Sequence, residues 1–176
     1  MHWKIIYVSP IGKMTVVCDK EQKYITGLWI EGQKYFQDTL SEEPLCGEDV
    51  PVLQKAGKWL DAYFAGKKPA PSALPLKPAG SEFRQEVWKI LCEIPYGNVM
   101  TYGEIAKRMA LKMGRETMSA QAVGGAVAHN PVSVIIPCHR IVGTNGSLTG
   151  YAGGIGKKIK LLELEGVDTS VFSMPK

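Results

Sequence analysis

The chain has 176 residues and a formal net charge of +4, with 45% hydrophobic and 22% charged residues. This composition is typical of one globular domain or two small ones, and it excludes collagen-like, coiled-coil and wholly disordered chains. No apolar run is long enough for a transmembrane helix, and the residues after Met1 lack the apolar core of a signal peptide. We therefore expect a cytoplasmic protein without a membrane partner.

The four cysteines are Cys18, Cys46, Cys92 and Cys138. They form no C-x-x-C pair, and their spacing matches no common zinc site, so no metal is expected. In a reducing compartment they are free thiols, and each is either a small buried apolar side chain or a nucleophile.

Arginine is distributed unevenly along the chain. Arg84, Arg108, Arg115 and Arg140 are the only arginines, and all four follow Pro78, in roughly the second half of the chain. Because arginine clamps phosphates better than lysine does, any nucleic-acid-binding face is expected in that half.

The first thirty residues predict a small antiparallel sheet. Runs rich in β-branched and aromatic residues at 5–8, 14–18 and 24–30 are separated by turn residues, which is typical of strands in a meander. Residues 32–48 have no clear period and are expected to be irregular.

A helix is predicted after this irregular region. Apolar residues recur at helical spacing from Val52 to Phe64, with Asp49 as a cap, Pro51 in the first turn and Gly66 as the stop. The apolar stripe is expected to pack against the sheet.

A proline-rich connector over residues 67–80 marks the predicted domain boundary. We expect an α/β scaffold domain over residues 1–78 and a mainly helical domain over residues 79–176. The predicted fold class is therefore α+β.

The second domain begins with a predicted helix that Ser81 caps and that ends before Pro95. Thr101 and Glu104 have the spacing of a capping box and predict a short helix through Ala106. The polar connector that follows is expected to run from Leu111 to Met118.

Ser119 can cap a further helix over residues 120–128, which Asn130 and Pro131 stop. Two short helices and a connector have the outline of a helix-turn-helix. The outline alone is a weak indication, because most such helix pairs bind no DNA.

Two glycines lie inside this last predicted helix, where each costs about 1 kcal/mol relative to alanine. One interpretation is that Gly124 and Gly125 let another helix pack closely. The other is that they form, with Ala120, Ala122 and Ala126, a slim face that approaches a nucleic-acid groove.

Glu165 lies in the last turn of a final predicted helix that begins near Gly156 and stops at Gly166. An acid at this position faces the negative end of the helix dipole. It is either a solvated surface residue or a group held there to orient a histidine.

The octet over residues 135–142, Ile-Ile-Pro-Cys-His-Arg-Ile-Val, interrupts a predicted apolar strand with a proline and three reactive side chains. Since proline has no ladder donor, the strand must end, bulge or lie at an edge there. Adjacent side chains on a strand face opposite ways, so His139 can serve Cys138 as a base only through a water or a turn. Arg140, a protonated His139 or backbone donors are expected to lower the pKa of the thiol.

The octet resembles the signature of the methylated-DNA–protein-cysteine methyltransferases, also called O6-alkylguanine-DNA alkyltransferases. Asn130-Pro131, residues 122–126 (Ala-Val-Gly-Gly-Ala) and residues 151–154 (Tyr-Ala-Gly-Gly) match as well, and the resemblance runs from Ser81 to Gly166. It implies a monomer that needs no cofactor and repairs O6-alkylguanine, and also O4-alkylthymine, in double-stranded DNA. The alkyl group moves once and permanently to the protein.

The resemblance also implies residue roles. Cys138 is the alkyl acceptor, His139 is the base that acts through a water, and Glu165 orients His139. Asn130 braces the cysteine turn, and Tyr102 protonates the leaving guanine. The base flips out as a helix enters the minor groove. The expected substrate- and DNA-binding residues are Gln121, Ala122, Gly124, Gly125, Ala126, Arg140, Ile141, Tyr151, Ala152 and Gly153.

The chain departs from the family pattern at two of these positions. Gln121 stands where an arginine commonly fills the gap left by the flipped base, and Ala152 stands where the pocket often has serine. Glutamine carries no charge, so base extrusion is expected to be weaker unless Arg115 assists it.

Three other functions fit parts of the pattern. A cysteine hydrolase would share the thiol, the imidazole and the acid but would turn over. A protein that binds alkylated bases without repairing them would lack the acceptor cysteine. A helix-turn-helix regulator would prefer one DNA sequence.

Overall fold

The computed structural model describes residues 1–174, which divide into two compact units. One unit contains residues 1–79 and 131–135, and the other contains residues 80–130 and those from 136 onward. A sheet and one long helix build the first unit, and helices dominate the second, so the α+β prediction is confirmed. No helix within residues 1–174 has the length and apolar character needed to cross a lipid bilayer.

The sheet of the first unit has four strands: β1 (Trp3–Ser9), β2 (Gly12–Cys18), β3 (Ile25–Ile30) and β4 (Leu45–Cys46). Their spatial order is β3-β2-β1-β4. The three predicted strands pair antiparallel, but β4 pairs parallel with β1 inside the region that we expected to be irregular. Two residues are too few to show an alternating pattern, so the sequence carried no signal for β4.

Helix α1 (Pro51–Phe64) packs against β1, β2 and β3 through the predicted apolar stripe. Gly66 ends it with φ +80°, as predicted. The prediction that Asp49 caps the helix was wrong, because the N-cap is Val50 and no side chain caps the first turn. Pro51 provides the helical φ there and has no N–H to satisfy.

A five-residue segment from the distant part of the chain, 131–135, completes the first unit. Leu28 N donates to Pro131 O at 2.8 Å, and Ser133 N donates to Leu28 O at 3.0 Å. Val134 then has φ +71°, and Ile135 N donates to Ser133 O at 2.8 Å across it. This γ-turn is strained for a β-branched residue. It lies directly before the octet.

The second unit contains four helices: α2 (Glu82–Cys92), α3 (Tyr102–Lys112), α4 (Ala120–Ala128) and α5 (Ile155–Leu164). It also contains a two-stranded parallel ladder of β5 (Met100–Thr101) and β6 (Ile141–Val142). The functional division of the chain into a scaffold domain and a DNA-binding domain stays a prediction.

The predicted caps of α2, α3 and α4 are confirmed. The hydroxyls of Ser81, Thr101 and Ser119 each accept from the backbone N–H three residues later. Helix α3 is longer than predicted, because it continues through Lys112, and the connector is correspondingly shorter. Helix α4 packs on α2 and α3, and the Trp88 indole donates to Ala126 O at 2.8 Å.

Candidate active site

The octet is built as a series of turns. Cys138 N donates to Ile136 O at 2.8 Å across Pro137, and residues 138–140 form one turn of 3-10 helix. Only Ile141 and Val142 are in a strand, so no strand runs through Pro137, as predicted, but residues 135 and 136 before it are not in a strand either. The physical reason is that Pro137 has no ladder donor and its fixed φ favours a turn. The turn removes the strand alternation that would separate Cys138 from His139.

Asn130 braces this series of turns. Its Nδ2 donates to Ile136 O at 2.9 Å, which ties the end of α4 to the residue before Pro137. Its side chain also bonds the Cys138 thiol. One amide therefore fixes both the turn and the sulfur.

Glu165 is buried and is not a solvated surface residue. His139 Nε2 donates to its Oε2 at 2.6 Å, Arg140 Nε donates to its Oε1 at 2.8 Å, and Gly97 N donates to Oε1 at 3.0 Å. Burial by itself would raise the pKa of the carboxyl, but the bonds and charges of His139 and Arg140 outweigh it and lower the pKa to about 2. Glu165 is therefore a carboxylate with its donors fixed around it.

The imidazole of His139 is completely buried. Burial lowers its pKa despite the opposing effect of Glu165, so the ring is neutral at neutral pH. Because Nε2–H points to the carboxylate, Nδ1 is the nitrogen that can accept a proton.

The Cys138 thiol is 4% exposed. Burial raises its pKa, and the Asn130 bond, the charge of Lys158 and a backbone donor offset this only in part. Of the groups expected to lower the thiol pKa, a backbone donor does act in that direction but is outweighed by burial, and the cation that acts on the thiol is Lys158 and not Arg140. Since the resting sulfur is protonated, the site needs a base.

The guanidinium of Arg140 is buried and hydrogen-bonded within the protein. Besides its two bonds to Glu165, its Nη1 donates to Ile94 O at 2.7 Å. Arg140 therefore holds Glu165 in place, and its role as a substrate- or DNA-binding residue stays a prediction.

Lys158 is a site residue that the sequence analysis missed. It is completely buried, and its Nζ donates to Ile141 O and to Thr149 O. Burial lowers its pKa to about 8, and the charge of Cys138 acts in the opposite direction. The sequence did contain one indication of this position. Lys158 precedes Leu161 by three residues and Leu162 by four, so it lies on the apolar stripe of α5.

Tyr102 is the first residue of α3, and the pairing of β5 with β6 sets the start of α3 beside the strand that follows the cysteine turn. Burial and then the charge of Cys138 raise its pKa to about 12, so it is a hydroxyl donor. Gly150, with φ +72°, makes room for it, because a Cβ there would lie 2.9 Å from the Tyr102 hydroxyl. Gly150 was also missed.

The remaining predicted pocket residues lie just before α5. Tyr151 is buried, with its ring edge-on to His139 at 6.4 Å between centroids. Ala152 and Gly153 are half-buried. Ile141, by contrast, lies in β6, and its carbonyl oxygen accepts a hydrogen bond from Lys158, so this oxygen already has a donor within the protein.

Helix α4 has an open side. Gln121 and Ala122 are exposed, and a Cβ added at Gly124 or Gly125 would meet no described atom within 4 Å apart from its chain neighbours and the backbone of α4 itself. Close packing of another helix therefore does not explain these glycines. Ala126 is buried toward α2, so it does not belong to the slim face that we expected.

Nothing in residues 1–174 groups three or more His, Cys, Asp or Glu side chains for a metal ion. Cys138 belongs instead to a cluster of one thiol, one neutral imidazole, one carboxylate and two cations. Such a cluster can ionise a sulfur by moving its proton to His139.

Two family models match the chain. Residues 3–78 match the ribonuclease-like domain of 6-O-methylguanine DNA methyltransferase, and residues 82–167 match the DNA binding domain of the same enzyme.

Curated relatives match nearly the whole chain. The methylated-DNA–protein-cysteine methyltransferase of Haemophilus influenzae is 40% identical over 159 residues, which are 90% of this chain and 83% of that one. The protein of the same name from Methanosarcina acetivorans is 41% identical over 162 residues, which are 92% and 96% of the two chains.

Solved structures agree with these matches. The crystal structure of Mycobacterium tuberculosis OGT in complex with DNA is 36% identical, with a TM-score of 0.77 and coverage of 98% of this chain and 94% of that chain. A crystal structure of Mycobacterium tuberculosis O6-methylguanine methyltransferase is 39% identical, with a TM-score of 0.76 over 94% and 93% of the chains.

Proposed function

Because the chain belongs to the methylated-DNA–protein-cysteine methyltransferase family, we propose that it repairs double-stranded DNA by moving the alkyl group of O6-alkylguanine to Cys138. The observation that carries the assignment of the acceptor is the hydrogen-bonded pair of His139 and Glu165, directly beside a buried thiol. No other cysteine within residues 1–174 adjoins a buried histidine in the sequence.

The first step ionises the sulfur. The Cys138 proton passes through a water to Nδ1 of His139, and Glu165 stabilises the imidazolium that forms. Lys158 stabilises the thiolate by its charge. Glu165 remains a carboxylate throughout, since its pKa is far below neutrality.

The second step transfers the alkyl group. The thiolate attacks the alkyl carbon in line, an S–C bond forms, and the C–O6 bond breaks with its electron pair passing to guanine. The Tyr102 hydroxyl supplies a proton to the leaving ring and regains one from solvent. The product thioether has no electrophilic carbonyl for water to attack, so each chain acts once.

DNA is bound by the open side of α4 in the minor groove, with the damaged base flipped into the pocket. Gln121 and Ala122 are exposed there, and Gly124 and Gly125 leave space for close approach. In this proposal O4-alkylthymine is a second substrate, and the monomer is the active form. The exposed Arg108 and Arg115 contribute phosphate contacts that weaken with salt.

The test is a duplex that contains one O6-methylguanine, mixed with the wild-type protein and with Cys138→Ala. We expect the wild type to remove the methyl group once per chain, and the variant to bind the lesion without removing it. Transfer beyond one group per chain would indicate a hydrolase, and repair by Cys138→Ala would exclude the assigned acceptor. A strong preference for one undamaged sequence would indicate a regulator.

A further inference from the structure

The hydroxyl of Tyr151 is a buried polar group that the mechanism above does not use. Its oxygen is inaccessible to solvent and makes no hydrogen bond to any atom of residues 1–174. Leaving a buried hydroxyl unsatisfied is costly, and an enclosed water is the usual partner of such a group. The orphaned oxygen therefore points to a water bound at this place.

The surroundings of Tyr151 make that water relevant to the reaction. The Tyr151 ring lies edge-on to the His139 ring, with 6.4 Å between centroids and 81° between planes. The charges of Cys138 and Glu165 act on the hydroxyl, and burial together with these anions holds the pKa of Tyr151 far above neutrality. The cations Arg140 and Lys158 are engaged elsewhere, by Glu165 and by backbone carbonyls. Tyr151 therefore keeps its proton throughout the reaction and is a donor.

We propose that Tyr151 is a positioning residue whose O–H holds the water between the Cys138 sulfur and Nδ1 of His139. This inference rests on the proposed function of the site. Before ionisation the water accepts from the S–H, donates one hydrogen to Nδ1 and accepts from Tyr151 with its second lone pair.

Ionisation then needs no change at Tyr151. The sulfur proton moves to the water oxygen as one water hydrogen moves to Nδ1, so the water stays neutral and the charges end on the thiolate and the imidazolium. Afterwards the water donates to the thiolate, accepts from Nδ1–H and still accepts from Tyr151. A fixed donor thus orients the water in both states.

The variant that tests this role is Tyr151→Phe, which removes one oxygen and keeps the ring. The control is Tyr7→Phe, which removes a tyrosine hydroxyl bonded to Asp61 in the first unit. The first measurement needs no DNA: it is the rate at which iodoacetamide alkylates Cys138 as a function of pH, followed on the peptide that contains Cys138.

We expect Tyr151→Phe to slow this alkylation at neutral pH roughly tenfold and to shift the apparent thiol pKa upward, because the water whose hydrogen bond stabilises the thiolate loses the donor that holds and polarises it. Tyr7→Phe should match the wild type. Single-turnover methyl transfer from the lesion duplex should slow by a similar factor, with an unchanged dissociation constant for the DNA.

Unchanged rates and pH profile in Tyr151→Phe, especially with a raised melting temperature, would overturn the proposal, since the hydroxyl would then be only an unsatisfied group. A wild-type protein that transfers no methyl group from DNA would contradict the proposed function instead. The iodoacetamide comparison would still decide the role of Tyr151.

Discussion

Glu165 shows most clearly how single residues define the site. One carboxylate accepts from the imidazole of His139, the guanidinium of Arg140 and the backbone of Gly97. The unfavourable position of an acid at a helix C-terminus is offset because these donors surround it. Its lowered pKa also makes it contribute to stability.

The first prediction follows from that pKa. The carboxyl has a folded pKa of about 2 against an ordinary 4.5, so its stabilisation is present above pH 4.5 and is lost as the pH falls toward 2. The loss amounts to about 3 kcal/mol of unfolding free energy. Between pH 4.5 and 2, the free energy of unfolding measured in urea should not show this loss for Glu165→Gln. It should show it for Glu163→Gln, an exposed neighbour on α5. If the free energy falls equally with pH in the wild type and in Glu165→Gln, the ion-pair cluster is contradicted.

The second prediction concerns Lys158. Its pKa of about 8 means that its charge, which supports the thiolate, disappears as the pH rises through 8. The wild-type transfer rate should therefore bend downward above pH 8. Lys158→Met should be slower at neutral pH and lack this bend. It should also lose about 2 kcal/mol of stability, because the buried carbonyl of Ile141 and the part-buried carbonyl of Thr149 lose their donor. If the transfer rate of Lys158→Met still falls above pH 8, the fall is caused by a group other than Lys158.

At the scale of elements, helix α4 contains two glycines, which disfavour a helix, and has an open side. The third prediction is that Gly124→Ala raises the stability of the free protein by up to about 1 kcal/mol, because the added Cβ meets nothing within 4 Å. The same change should weaken binding to lesion DNA if that side meets the groove. Gly57→Ala in α1, whose Cβ would make an ordinary contact at 3.9 Å, is the control and should leave DNA binding unchanged. Equal DNA affinity for both variants would remove α4 from the interface.

The fourth prediction concerns the loop that carries Gly150. A Cβ at this residue would lie 2.9 Å from the Tyr102 hydroxyl, so Gly150→Ala should displace the hydroxyl and slow methyl transfer while DNA binding persists. Gly66→Ala has a similar positive φ of +80° but meets no atom within 4 Å. It should lose stability for the same conformational reason and keep the transfer rate. If both variants transfer at the same rate, Tyr102 has no part in the chemistry.

Local features of the elements were predictable, and features that depend on distant partners were not. The caps Ser81, Thr101 and Ser119 were found because each hydroxyl and the backbone N–H that donates to it lie three residues apart. The interruption at Pro137 was also predictable from its missing N–H, but the apolar residues before it gave no sign that turn bonds would outweigh their β propensity.

At the scale of the whole molecule, the same distinction applies to the site. The motif itself pointed to Cys138 and His139. The unfavourable helix position of Glu165 already offered the orientation of a histidine as one of two interpretations, and the family resemblance favoured it. The apolar stripe of α5 shows which helix face Lys158 occupies, but the burial of its ammonium group and its bond to Ile141 depend on the placement of α5 beside β6. The sequence also did not indicate that residues 131–135 complete the first unit, because no local period encodes their hydrogen bonds to Leu28.

The most direct test of the account is the intact mass of the protein before and after exposure to a duplex that contains one O6-methylguanine, with the modified peptide then sequenced. The account predicts a gain of one methyl group per chain, located on Cys138, that persists on dialysis. A protein of unchanged mass with the lesion intact, or a methyl group on any other residue, would contradict it.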